Sequence, residues 1–92
     1  MASLRYAAPL EVRARASVWL ETDGPVSVFG VWRTDPRIAE VRWLTGDRPS
    51  VLLDAVDRTT RDFIRSADPA TGLALIYLTQ ALVLSRLDGN QP

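Results

Sequence analysis

Ninety-two residues, 47% apolar and 24% charged, make one small globular domain, a size that buries only about 60% of the surface its unfolded chain exposes. Eleven basic residues balance eleven acidic ones, so the molecule as a whole is neither a cationic clamp for nucleic acid nor a binder of anionic lipid. Absence of His and Cys excludes disulfides, thiolate nucleophiles, zinc sites built on either residue and catalytic triads that need an imidazole.

Met1 to Leu10 contains no apolar stretch of the kind a secretory signal carries and reads as an N-terminal arm, which makes the cytoplasm the expected location. Glu11 to Glu21 alternates, with Val12, Ala14, Ala16, Val18 and Leu20 on one side and Arg13, Arg15, Ser17 and Trp19 on the other. That period of two predicts a half-buried strand. Thr22-Asp23-Gly24-Pro25 supplies turn chemistry, and Val26 to Arg33 reads as a second strand rich in β-branched and aromatic residues.

Thr34-Asp35-Pro36 fits two structures. Asp35 suits the N-cap of a helix with Pro36 in its first position, and Pro36 equally suits the second position of a type I turn. The turn is preferred because its register is self-consistent: it pairs Arg33 with Glu40, Trp32 with Val41 and Gly30 with Trp43, all favourable across strands. The expected sheet is therefore a three-stranded antiparallel meander over residues 11–44.

From Arg48 onward the pattern turns helical. Leu52, Leu53, Val56, Thr60, Phe63, Ile64 and Ala67 recur at three- and four-residue spacings, and Asp54, Asp57, Arg58, Arg61 and Asp62 form an acid–base ladder opposite. Asp68-Pro69 ends that helix and starts a last one, running to Leu87 ahead of a frayed 88–92 tail. The fold class expected is thus α+β, with two α-helices at 48–87 packed on one face of the sheet. Leu73 to Leu84, interrupted by Thr79 and Gln80, is shorter than the roughly 20 residues a bilayer span needs.

Two surfaces carry the functional expectation. The last helix is apolar nearly all round, and one sheet face with one helix leaves a stripe of it bare. Leu75, Leu78, Leu82 and Val83 are therefore expected to form a homo-oligomer interface. The outer sheet face gathers Trp19, Phe29, Val31 and Leu44 inside a ring of Arg13, Arg15, Arg33 and Arg42, the composition of a protein-binding hot spot. Bases stacked on these aromatics with phosphates on the arginines are the alternative, opposed by Glu11, Glu21 and Glu40 nearby. No Gly-rich phosphate loop and no GxSxG, HExxH or CxxC motif is present. The chain is expected to be a non-enzymatic interaction module, an accessory, adaptor or inhibitor subunit without cofactor or metal.

Overall fold

A computed structural model describes residues 9–23 and 32–89. Among these residues four α-helices follow one another: α1 (Pro9–Asp23), α2 (Pro36–Leu44), α3 (Pro49–Ser66) and α4 (Pro69–Gly89), with a short 3-10 turn over Trp32–Thr34 ahead of α2. There is no strand among the described residues, so the expected α+β class and the meander with its arginine-rich outer face are both corrected. Of the expected second strand, Val26 to Arg33, residues 26–31 lie outside the described residues, and Trp32 and Arg33 stand in the 3-10 turn.

Each helix opens on a proline: Pro9, Pro36, Pro49 and Pro69. A proline ring presets φ for the first helical position, where the missing N–H would have had no partner. In α1 the buried residues Val12, Ala16 and Trp19 are spaced by four and three, the period of a helix. Val12 and Ala16 satisfy a strand and a helix alike, so Trp19 decides. The strand reading places it outside, yet it is only 6% exposed, whereas Ala14 and Val18, which that reading buries, face solvent.

Asp35 caps α2, its Oδ1 accepting from the Arg37 N–H at 2.9 Å, with Pro36 in the first turn. The helix half of the two-way reading of Thr34-Asp35-Pro36 is therefore the one realised. The cross-strand pairs dissolve with the turn: Arg33 meets Asp88, and Glu40 meets Arg15. α2 ends in a Schellman arrangement. The Gly46 N–H donates to the Trp43 carbonyl and the Asp47 N–H to that of Arg42, while Gly46 takes the left-handed φ of 69° the motif needs.

α3 and α4 occupy the expected spans, joined by Ala67 in the left-handed region and by Asp68, whose carbonyl accepts from the Gly72 N–H to begin α4. The Asp68 carboxylate also accepts from the Thr71 hydroxyl at 3.1 Å. α4 is the axis of the bundle and packs against α1, α2 and α3. Ala70, Ala74 and Ala81 keep its surface low where neighbours approach, and Leu73, Tyr77, Leu78 and Leu84 fill the core between them. Three helices, rather than a sheet and one helix, thus cover most of α4.

Candidate functional site

All four arginines expected to ring a binding face lie near carboxylates of their own chain, and three of them are hydrogen-bonded there. Arg13 lies 3.9 Å from Asp68, and Arg15 Nε donates to Glu40 at 2.6 Å, tying α1 to α2. Arg42 grips Asp47 with Nε and Nη2 at 2.7 and 2.9 Å, and the same Nη2 reaches Asp88 at 2.7 Å. Arg33 closes the cluster on the other Asp88 oxygen at 2.9 Å. The Arg42–Asp47 pair occupies the two positions where a Schellman motif more often places an apolar contact. Ser85 of α4 donates to the Asp47 carbonyl at 2.9 Å, so the α2–α3 turn is fastened to the end of α4. The bond to Asp47 raises the Arg42 pKa further above its ordinary value, and Arg33 followed by Arg42 holds the Asp88 carboxyl below the usual range. These groups stay charged at every ordinary pH, which suits a structural clasp and not a proton-transfer centre.

Trp19 is a core residue, its ring 5.5 Å from that of Tyr77 in edge-to-face contact at 77°. Leu44 is half-buried against the core, and Phe29 and Val31 lie outside the described residues. Among the described residues there is no outer sheet face to bring Trp19 and Leu44 together with the arginines. Burial pushes the Tyr77 hydroxyl pKa up. That hydroxyl sits against Asp35 and Arg37 with no hydrogen bond of proper distance and angle among the described residues.

The residues expected to form an oligomer interface divide. Leu78 is fully buried inside its own chain, Leu75 and Leu82 are half-buried, and Val83 is 37% exposed. Val83 belongs to the most exposed face of α4: Ile76, Thr79, Val83 and Arg86, at offsets of three, four and three, with Leu87 beside it and Gly72 at its start against Phe63 of α3. On α3 the buried residues are Leu52, Ala55 and Thr59, leaving part of its apolar arc to solvent. Leu53 and Phe63 are exposed, and Ile64 is 79% exposed. Phe63 connects the two bare stripes, because a Cβ built on Gly72 would stand 2.9 Å from its Cε1. Exposed apolar side chains therefore stand on both helices of the α3–α4 hairpin. The sequence reading assigned Leu53, Phe63 and Ile64 to the core; their excess over what one helix contact can cover was the available signal. Trp43, paired with Gly30 in the expected meander, is 78% exposed at the end of α2.

Chemical machinery is sparse. Among the described residues no three acidic side chains gather as a metal site. A shallow groove of about 320 Å³ lies between the start of α1 and α3, lined by Pro9, Leu10, Arg58, Arg61, Asp62 and Arg65. α4, at 21 residues, is long and apolar enough to cross a membrane, beyond the shorter run read from the sequence, but 56% of its apolar window is buried by the rest of the fold. No family model, no curated protein and no solved structure matches the chain.

Proposed function

We propose that this chain is a small helical interaction module that pairs with a second copy of itself through the bare apolar strip of the α3–α4 hairpin and acts by occupancy. The observation that supports the reading is that Leu53, Phe63 and Ile64 on α3 and Val83 and Leu87 on α4 are all exposed, on two helices that meet at Phe63 and Gly72. Soluble monomers rarely leave large apolar patches uncovered. A hairpin presented to its own copy buries both strips by one two-fold operation, the commonest route to a closed assembly. The half-buried Leu75 and Leu82 flank the strip, so the interface expected on the last helix is retained at its solvent edge and extended to α3. Of the arginines that would serve a nucleic-acid reading, Arg15, Arg33 and Arg42 are bonded to carboxylates within the chain, which does not favour that alternative.

The test is mass in solution. The wild type should scatter as twice the 10.2 kDa chain mass, and Val83→Arg, which places a charge in the strip without touching the core, should scatter as a single folded chain. A wild type that stays at one chain mass at high concentration would overturn the reading.

A further inference from the structure

The geometry points to a binding site for a phosphorylated small molecule in the groove between the first turn of α1 and the C-terminal half of α3. Arg58, Arg61 and Arg65 line it at offsets of three and four, so one face of α3 delivers three guanidinium groups to one concavity. Asp62 is the single carboxylate in the wall among the described residues. The competing acids leave much of this charge unspent. Arg58 gives its Nε edge to Asp54 at 3.0 Å, outside the groove. Asp62 stands 3.7 Å from Arg65, too far for a hydrogen bond. Arg61 has no carboxylate within 4 Å among the described residues. In a molecule whose total charge is zero, this is a local cationic surplus in a recess, unlike the arginines of the Asp47–Asp88 clasp.

Two further features fix the ligand class. The opposite wall is Pro9 and Leu10, the first two residues of α1, so the positive end of a helix macrodipole is turned to the same space. Planar guanidinium forks match phosphoryl oxygens in pairs, and a cluster of them favours a di- or triphosphate over a single carboxylate. A volume of about 320 Å³ exceeds what a bare phosphate fills and meets the lower end of small-molecule sites. Leu10, 66% exposed, then offers an apolar seat for the non-phosphate part, such as a base and sugar. A nucleoside diphosphate satisfies both walls. At 100° per residue these arginines lie roughly a quarter-turn round α3 from Leu53 and Ile64, so the groove borders the proposed dimer strip without sharing a residue with it.

Amide chemical shifts of the full chain titrated with inorganic pyrophosphate, with a nucleoside diphosphate and with a single-stranded oligonucleotide test this. Saturable shifts confined to residues 9–12 and 58–66, tighter for the nucleoside diphosphate than for pyrophosphate, are expected. Arg61→Gln combined with Arg65→Gln should weaken that binding by roughly tenfold or more, the scale of lost charge-assisted pairs. Arg86→Gln, at the far end of the hairpin, should leave it within about twofold. The same spectra report whether each variant is folded. Absence of saturable shifts at millimolar ligand would overturn the proposal, as would equal weakening by Arg86→Gln. Tighter binding of the oligonucleotide than of the nucleoside diphosphate at equal phosphate would also overturn it, because the ligand would then be a nucleic acid.

Discussion

Trp19 and Tyr77 hold α1 against α4, and their burial gives them structural roles that separate cleanly in experiment. Trp19→Ala removes a large buried side chain and should lower folding stability by about 3–5 kcal/mol, measured by urea unfolding. A small loss would mean that the ring is not packed as described. Tyr77→Phe removes a hydroxyl that makes no well-formed hydrogen bond and should change stability at neutral pH by less than about 1 kcal/mol. The wild-type hydroxyl pKa is raised above its ordinary value of 10.0 by burial. Its contribution is therefore complete below pH 10 and is lost as pH rises through the higher folded value. Unfolding followed from pH 9 to 12 should show the wild type weakening relative to Tyr77→Phe, and parallel curves would contradict the burial. Arg13, Arg15, Arg33 and Arg42 illustrate a limit of reading residue by residue. Their charge and number were visible in the chain, but their partners Asp68, Glu40, Asp88 and Asp47 are chosen by the fold.

At the scale of elements, the α3–α4 hairpin was legible because its signals agree: helical spacing from Leu52, Pro49 and Pro69 at the starts, and Asp68 between them. α1 was not, because alternating small apolar residues satisfy two periods at once. In Val12, Ala14 and Ala16 only size distinguishes them, and alanine favours a helix on propensity alone. Pro9 carried the same start signal that marks the other three helices. α2 turned on whether Asp35 capped a helix or opened a turn, and its own chemistry fits both. The hairpin joint contains a local cost. Ala67 adopts φ 52°, a region that disfavours any residue with a Cβ. Ala67→Gly should therefore raise stability by roughly 0.5–1 kcal/mol, read as a shift in the thermal midpoint. A loss of stability would show that the joint does not take this conformation.

At the scale of the whole molecule, the question is how a helix apolar nearly all round is covered in so small a chain. The premise that α4 has more apolar surface than its neighbours can hide was legible. The identity of those neighbours was not, since it depended on α1 and α2 being helices. With three helices around it, the uncovered part of α4 narrows to one stripe, and the remaining excess moves to Leu53, Phe63 and Ile64 of α3. Those residues lay on the predicted inner face because periodicity says which side of a helix is apolar, not how far round the contact extends. The outer sheet face dissolves for a connected reason: with no strand among the described residues, Trp19 belongs to the core, and Arg15 reaches across to Glu40 of α2.

The claim that the α3–α4 strip is an interface is tested most directly by solvent accessibility in solution. A soluble paramagnetic agent added to the concentrated protein broadens the signals of side chains that water reaches. Leu53, Ile64 and Val83, exposed in the single chain, should be protected, while Leu10 and Trp43, exposed elsewhere, should broaden strongly. Ile64 and Val83 broadening as fully as Leu10 would contradict the account and leave the strip bare.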